Sequence, residues 1–363
     1  MGNLVHVSLG DRSYDILIEK GCLDQAGALI REHLGQPACG VITDDDVAPL
    51  YAQRLQASLN QAGLRSCLCV LPHGEKTKSL DTMRALYGFL AENHITRGDI
   101  VVALGGGVIG DTAGFAAATW MRGVRFVQMP TSLLAQVDSS VGGKVAVDLP
   151  QGKNLVGAFH QPSLVLCDPD TLETLTDAFW RDGLSEVVKY GAIADLPLFE
   201  LLEKAAPLGR AGLMAHIGEI LRRCVQAKAD IVAADEREAG VRVTLNFGHT
   251  LGHAIEVCQG FGGLSHGMAV AVGMAQITRV SEARGETAPG TAARLAALLR
   301  ALGLPTEVPA GLDEEALLAA MAADKKNTAA GLTVVALKRM GDCFTMKTNV
   351  GYFKPIFEMN SAT

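Results

Sequence analysis

The chain opens with two short segments in which apolar and polar residues alternate. Residues 5–9 and 14–18 carry apolar side chains at every second position, and Gly10-Asp11 lies between them. An alternation of period two places the apolar side chains on one face of a strand, and a glycine-containing break between two such runs is typical of a tight turn. The pattern predicts an N-terminal β-hairpin.

Short apolar runs then alternate with helical patterns over the first half of the chain. The runs are residues 40–43, 67–71, 100–104, 124–129 and 164–167. Strands that are continuously apolar and separated by helices are typical of a parallel sheet covered on both faces. The sequence therefore predicts an α/β domain with a Rossmann-like, mostly parallel sheet.

The composition changes near residue 177, where long alanine- and leucine-rich helical patterns replace the strands. The predicted helices are residues 213–235, 246–258, 267–285, 290–302 and 313–323. We place the domain boundary at 178/179, with an α/β domain over residues 1–178 and a mostly α-helical domain over 179–363.

Composition and charge restrict the class of protein. The 363 residues are 48% hydrophobic and 20% charged, with a net charge of -7, which argues against a general nucleic-acid binder. The eight cysteines form no C-x-x-C pair, and no apolar run of about 18 residues occurs. We expect reduced thiols, a cytoplasmic location, and neither a nucleic-acid nor a membrane partner.

Residues 246–256 hold the most informative motif. His249 and His253 lie one helical turn apart, and Glu256 follows three residues later on the same face. A third histidine, His266, precedes the apolar run 268–277. Imidazole and carboxylate suit zinc, and a catalytic zinc site needs about three protein ligands. The motif predicts a divalent-metal site but leaves the ligand set open.

A glycine-rich turn follows the apolar run 100–104. Gly105, Gly107 and Gly110 satisfy the G-x-G-x-x-G spacing, which lets main-chain N–H groups approach a pyrophosphate. The acidic residue usual about 20 positions downstream is missing. Asp44, at the end of an earlier strand, offers a substitute carboxylate for the adenosine ribose.

Basic residues indicate an anionic, phosphorylated substrate. Lys144 and Lys153 flank a glycine-containing region, and Lys189 shares a helix face with Glu186. Lys228 falls within the apolar stripe of a predicted helix, where a lysine is costly unless it is paired with an anion or its ammonium reaches water.

These motifs resemble the 3-dehydroquinate synthase family. The resemblance extends from about residue 40 to 330, in the family's order, over long and specific runs. The runs are residues 105–111, 121–124, 129–144, 152–159, 186–189 and 246–256.

The resemblance implies conversion of 3-deoxy-D-arabino-heptulosonate 7-phosphate to 3-dehydroquinate, in the shikimate pathway that leads to the aromatic amino acids. It implies NAD that is oxidised again within each cycle, a divalent metal (zinc or cobalt), and transient oxidation at C5 that makes the C6 proton removable. Phosphate elimination, reduction, ring opening and aldol closure would follow. We also expect a homodimer.

The resemblance assigns roles residue by residue. It assigns metal binding to Glu186, His249 and His266, and proton transfer to His253. The other residues assigned to the substrate and to catalysis are Arg122, Asp138, Lys144, Lys189, Lys228, Arg242 and Asn246, with one of Lys325 and Lys326. The residues assigned to NAD are Asp44, Glu75, Lys78, Gly106, Gly107, Val108, Ile109, Gly110, Asp111, Thr131, Ser132, Lys144, Lys153, Thr171, Leu172 and Thr174.

The sequence departs from the family's pattern at one place, and three alternative functions stay open. His73 and Thr77 stand where the family usually has an aspartate and often a tyrosine, which leaves the details of the NAD contacts there open. The alternatives are a 2-deoxy-scyllo-inosose or valiolone-type cyclase, a metal-dependent dehydrogenase of the glycerol dehydrogenase type, and a non-catalytic protein that retains the fold.

Overall fold

A computed structural model describes residues 3–238, 240–260, 262–323 and 331–360. The chain divides into two compact units, Met1–Thr176 with Lys228–Arg237, and Asp177–Ala227 with Glu238–Thr363. Residues 228–237 thus belong with the first unit, whereas the predicted boundary at 178/179 places this segment in the second domain.

Apart from one hairpin over residues 144–159, which was not predicted, the elements of the first unit follow the predicted alternation. Its strands are β1 (Asn3–Val7), β2 (Tyr14–Ile18), β3 (Cys39–Asp44), β4 (Ser66–Leu71), β5 (Ile100–Gly105), β6 (Arg125–Pro130), β7 (Lys144–Leu149), β8 (Gly152–Phe159) and β9 (Leu164–Cys167). Its helices are α1 (Ala26–Leu34), α2 (Gln53–Gln61), α3 (Leu80–Glu92) and α4 (Gly107–Thr119).

Seven of these strands form one sheet in the order β1-β2-β9-β6-β5-β3-β4. β1 and β2 are the predicted antiparallel hairpin, and the pairs from β2 to β4 are parallel. Residues of β5 alternate between two cores: Val102 faces the layer of α1 and α2, and Val101 faces the layer of α3 and α4. The predicted parallel sheet with helices on both faces is confirmed.

The second unit is mostly helical, as predicted. Its helices are α5 (Asp177–Ile193), α6 (Leu196–Ala205), α7 (Gly209–Ala215), α8 (Ile217–Ala234, whose last turns group with the first unit), α9 (His249–Cys258), α10 (His266–Ala283), α11 (Thr291–Ala301), α12 (Glu314–Ala323) and α13 (Pro355–Asn360). α10 packs against α5, α9 and α11. Its side chains are therefore largely buried.

In the second unit, one predicted helix is wrong and one hairpin was not predicted. The continuous helix over 213–235 is wrong, because α7 ends at Ala215 and His216 leaves helical geometry before α8 begins. The hairpin of β10 (Leu332–Arg339) and β11 (Asp342–Thr348) in the second unit was not predicted. All eight cysteines are free thiols, as predicted. Among the described helices, none is long and apolar enough to cross a membrane.

Candidate functional site

The residues assigned to NAD follow the carboxyl ends of the parallel strands. Asp44 ends β3, the glycine turn ends β5, and Thr131-Ser132 follows β6. Gly105 is paired with Pro130, and Thr131 N–H donates to the Gly105 carbonyl at 3.0 Å. Because these strands are parallel, the residues share one edge of the sheet, which is where open α/β sheets bind ligands.

The glycines of the turn have different structural requirements. A Cβ on Gly110 would lie 2.8 Å from Gln128 Oε1, so Gly110 lets α4 pack closely on β6. A Cβ on Gly107 would have Ser139 Oγ at 3.2 Å as its nearest neighbour, and Gly106 has Ser132 Oγ at 3.5 Å. The first turn of α4 is thus bordered by small hydroxyl side chains. The side chain of Ile109 packs in the core, which leaves only its main chain for a ligand.

Four of the residues assigned to NAD form one charged network. The ammonium of Lys78, which is 5% exposed, lies 2.8 Å from Asp111 Oδ2 and 3.8 Å from Glu75 Oε1. Lys153 Nζ lies 3.5 Å from the same Glu75 oxygen. Burial lowers the pKa of Lys78, but Asp111 and Glu75 outweigh burial and raise the pKa above its ordinary value. Lys78 is therefore a fixed positive charge beside the first turn of α4.

Asp44 and the loop after β9 lie at the same edge. Asp44 Oδ1 accepts hydrogen bonds from Asp46 N–H and Val47 N–H, while burial raises the pKa of this carboxyl. Thr171 and Leu172 are buried, and the Thr171 hydroxyl donates to the Asp168 carbonyl. Within the loop 169–174, the hydroxyl of Thr174 is hydrogen-bonded to Tyr51.

Lys228 is paired with an anion of its own chain. Its ammonium donates to the Asp138 carbonyl at 2.6 Å and lies 3.1 Å from Asp138 Oδ1. Lys228 is 6% exposed. The solvent-reaching alternative is therefore wrong, and Asp138 holds the lysine in place at this position.

Lys144 and Lys153 lie on the two strands of one hairpin, on either side of its turn. Lys144 begins β7 and pairs with Phe159, whereas Lys153 lies beside the turn at the other end of the hairpin. Leu149 lies five positions after Lys144 along β7, which is about 17 Å at the usual rise per residue. The structure therefore separates Lys144 from the Glu75–Lys78–Asp111 network that contacts Lys153.

Arg122 lies at the far end of α4 from the glycine turn. Met121, Arg122 and Gly123 all have positive φ, and Arg122 is exposed. The 13 residues of α4 span about 20 Å. Arg122 precedes β6, so it lies at the opposite edge of the sheet from the residues assigned to NAD.

Three helices of the second unit bring Glu186, His249 and His266 together. Glu186 lies in α5, His249 begins α9 and His266 begins α10. The Nε2 atom of His249 lies 3.6 Å from Glu186 Oε1, and the Nε2 atom of His266 lies 3.9 Å from the same oxygen. The ligand atoms of the three residues lie within 4.8 Å of one another.

Close helix packing makes this convergence possible. A Cβ on Gly267 would lie 2.1 Å from the Asp182 carbonyl oxygen, and Gly267 N–H donates to Asp182 Oδ1 at 2.6 Å. A Cβ on Gly252 would lie 3.1 Å from the main chain of Val270. These glycines let α10 approach α5 and α9, which positions His266 beside Glu186 and His249.

The chemistry of the three residues fits a divalent metal. Two ligands about 2.0–2.1 Å from a tetrahedral zinc ion lie about 3.3 Å apart, close to the separations found here. Neither carboxylate oxygen of Glu186 has a hydrogen-bond partner among the described residues, although Lys189 forms an ion pair with it. The His249 Nδ1 atom lies 3.1 Å from the Phe247 carbonyl, which leaves Nε2 for a metal.

His266 also belongs to a second trio of possible metal ligands, with His253 and Glu256. Glu256 Oε2 lies 3.1 Å from His266 Nδ1, and His253 completes a group whose ligand atoms also lie within 4.8 Å. The His253 ring centroid lies 5.4 Å from that of His249 and 5.9 Å from that of His266. Burial lowers the pKa of His266, but Glu256 and then Glu186 outweigh it and raise the pKa. Glu256 and Glu186 therefore favour positive charge on the His266 ring.

The remaining residues assigned to the substrate in this unit border the start of α9. Arg242 (2% exposed) and Asn246 belong to the short helix Val241–Asn246. Asn246 Nδ2 lies 3.4 Å from Glu238 Oε1. Lys325 and Lys326 lie outside the described residues.

Two residues of these clusters were not predicted from the sequence. Asn154 Oδ1 accepts from Lys78 at 2.5 Å, and Glu238 lies beside Asn246. Both have positive φ, 54° and 60°, which is uncommon for residues other than glycine. Asn154 contacts a residue that is distant in the sequence, and Glu238 contacts its partner across a turn. No spacing rule therefore identifies either residue from the sequence.

Comparisons with known proteins agree with these observations. The family models for the 3-dehydroquinate synthase N-terminal and C-terminal domains match residues 68–182 and 183–327. The 3-dehydroquinate synthase of Clostridium beijerinckii is 45% identical over 347 residues, covering 96% of this chain and 98% of its own. That of Neisseria gonorrhoeae is 48% identical over 330 residues, covering 91% of each chain.

Solved structures share the fold. The 2-epi-5-epi-valiolone synthase from Streptomyces hygroscopicus, solved with NAD+ and Zn2+ bound, has a TM-score of 0.88 and 27% identity, and the match covers 98% of each chain. A 2-deoxy-scyllo-inosose synthase has the same TM-score at 24% identity, with 98% of this chain and 99% of that chain covered. The second likeness shows the fold alone.

Proposed function

The chain belongs to the 3-dehydroquinate synthase family, and on this premise we propose the reaction and assign its residues. The protein converts 3-deoxy-D-arabino-heptulosonate 7-phosphate to 3-dehydroquinate and phosphate, which makes it a carbon–oxygen lyase. The observation that carries the proposal is the convergence of Glu186, His249 and His266 in a protein 45–48% identical to these synthases. The valiolone and inosose cyclases are less similar, at 24–27% identity.

Glu186, His249 and His266 would hold the metal, zinc or cobalt. When bound, the metal supplies a Lewis acid that lowers the pKa of a substrate hydroxyl. The protein's own contribution is orientation: the Phe247 carbonyl faces His249 Nδ1, and Glu186 is held between Lys189 and the two imidazoles. The valiolone synthase, which shares the fold at 27% identity and was solved with Zn2+ bound, supports the proposal that this chain binds a metal.

Residues 1–178 would form the NAD-binding domain, and residues 179–363 the metal- and substrate-binding domain. Bound NAD would supply reversible hydride chemistry. The first turn of α4 offers main-chain N–H groups and Lys78 offers a fixed positive charge, both suited to a pyrophosphate. Asp44 offers a carboxylate suited to a ribose hydroxyl.

His253 would transfer protons and not bind the metal. Its ring lies beside both ligand histidines, one helical turn after His249. A proton-transfer group needs to reach the reacting atoms without being consumed as a ligand. The separate ligand trio leaves His253 available for that role.

The polar and charged side chains assigned to the substrate would bind its hydroxyl groups, carboxylate and phosphate. For Asp138, Lys144, Lys189, Lys228, Arg242 and Asn246 we propose the roles that the resemblance implies. Arg122 lies at the opposite edge of its own sheet from the glycine turn. If Arg122 contacts substrate, it would do so in a second copy of the chain, which agrees with the homodimer that we propose.

The test is a substrate comparison at fixed NAD and zinc. We expect release of inorganic phosphate from the heptulosonate 7-phosphate, with dehydroquinate formed in equal amount. Glucose 6-phosphate, which lacks the C1 carboxylate, is the control and should release no phosphate. Equal or faster phosphate release from the hexose would contradict the proposal and favour an inosose-type cyclase.

A further inference from the structure

Glu256 lies behind one of the proposed metal ligands and has no assigned role. It belongs to α9, and its side chain is 10% exposed. Its Oε2 atom lies 3.1 Å from Nδ1 of His266, whose Nε2 atom faces Glu186. The two nitrogens of one imidazole are thus directed at two different carboxylates.

Protonation decides which of the two nitrogens can bind a metal. A neutral imidazole carries a proton on one nitrogen and a lone pair on the other. If Nδ1 bound a metal with His253 and Glu256, Nε2 would carry the proton and could not join Glu186 and His249. The two trios are therefore mutually exclusive for a single neutral His266.

The partners of the rings favour one tautomer. An ionised carboxylate only accepts hydrogen bonds, so Glu256 favours the proton on His266 Nδ1. The Phe247 carbonyl, 3.1 Å from His249 Nδ1, favours the same tautomer in that residue. Both Nε2 lone pairs are then directed toward Glu186 Oε1, at 3.6 and 3.9 Å.

We propose that Glu256 is a positioning residue that fixes the tautomer and ring orientation of His266, so that His266 binds the metal through Nε2. This inference rests on the metal site assigned under the proposed function. A carboxylate behind a histidine ligand also makes the imidazole a better donor, and losing such a partner typically weakens metal binding about 10–100-fold.

The experiment measures zinc affinity of the full-length protein by competition with a chromophoric chelator. Glu256→Leu removes the acceptor at similar volume and should weaken zinc binding about 10–100-fold. Glu256→Gln keeps an amide oxygen that can still accept, so we expect a smaller loss. At saturating zinc both variants should still hold one ion per chain, and the cobalt-substituted forms should show altered ligand-field absorption bands.

Glu282→Gln is the matched control. Glu282 lies in α10, as His266 does, and accepts hydrogen bonds from Gly290 N–H and Ala292 N–H at the start of α11. It makes the same chemical change without touching a ligand, so zinc affinity and the cobalt spectrum should match those of the wild type. Thermal unfolding of each metal-free variant checks the fold, and Glu256→Gln decides the question if Glu256→Leu does not fold.

Two results would overturn the inference alone. Unchanged zinc affinity and cobalt spectrum in the Glu256 variants would show that Glu256 does not position His266. Loss of one-to-one zinc at saturation in Glu256→Gln would show that Glu256 is itself a ligand. A wild-type protein that turns over substrate but binds no zinc or cobalt would overturn the metal site and this inference together, whereas the substrate comparison tests the reaction separately.

Discussion

Replacing Lys228 by methionine tests whether its pairing with Asp138 stabilises the first unit. The substitution keeps most of the apolar stem but removes the ammonium, which donates to the Asp138 carbonyl at 2.6 Å and lies 3.1 Å from Oδ1. If the Lys228 ammonium were buried without a partner, its removal would leave the free energy of unfolding unchanged or raise it. The ion pair makes the substitution destabilising instead. Its loss leaves the Asp138 carboxylate, whose side chain is only 25% exposed, without this partner.

The expected loss is about 2 kcal/mol in the free energy of unfolding, since a hydrogen bond to a charged group contributes about 1.5–3 kcal/mol. That is about a 30-fold change in the ratio of folded to unfolded protein. The assay is denaturant unfolding followed by tryptophan fluorescence, in a double-mutant cycle with Asp138→Asn. We expect a coupling energy of about 1 kcal/mol or more.

Lys204→Met, an exposed lysine in α6, is the control and should change stability by less than about 0.5 kcal/mol. The reasoning is refuted if Lys228→Met is as stable as this control. It is also refuted if the Lys228 and Asp138 substitutions are additive, because additivity would mean that the two side chains do not interact.

Three further predictions concern other parts of the chain. Gly107→Val should abolish NAD binding, measured by calorimetry, while zinc content is unchanged; wild-type NAD affinity would contradict the assignment of the glycine turn. Burial raises the pKa of Cys39 to about 12, so about one thiol in 10,000 is ionised at pH 8, and differential alkylation should label Cys39 only after unfolding. His249→Ala should lose stoichiometric metal and activity together, whereas His253→Ala should lose activity and keep the metal; the reverse pattern would favour the trio of His253, Glu256 and His266.

The sequence predicts the parts of the fold that depend on local periodicity. The strands β3, β5 and β9 are buried throughout and mostly apolar because both faces of the sheet are covered, and this pattern is visible in the residues themselves. The break at His216 is not visible, since the apolar stripe continues on both sides of it. β10 and β11 were not predicted because a single hairpin within a long helical region gives only a weak alternation.

In the candidate site, too, the sequence predicts only the features that depend on local spacing. The helical spacing of His249 and His253 is local, but the approach of Glu186 and His266 depends on packing among α5, α9 and α10. The contact between Glu256 and His266 likewise joins two helices. Lys144 and Lys153 are close in sequence, yet Lys144 begins β7 and Lys153 lies beside the turn at the other end of the hairpin.

The central claim is that NAD is used catalytically in a phosphate-eliminating cyclisation. The most direct measurement follows dehydroquinate, phosphate and NADH together in one reaction that contains heptulosonate 7-phosphate, zinc and NAD well below the substrate concentration. The account predicts many equivalents of dehydroquinate and phosphate per NAD, with no net NADH. NADH that accumulates in step with product, and turnover that stops when NAD is exhausted, would contradict it and indicate a dehydrogenase.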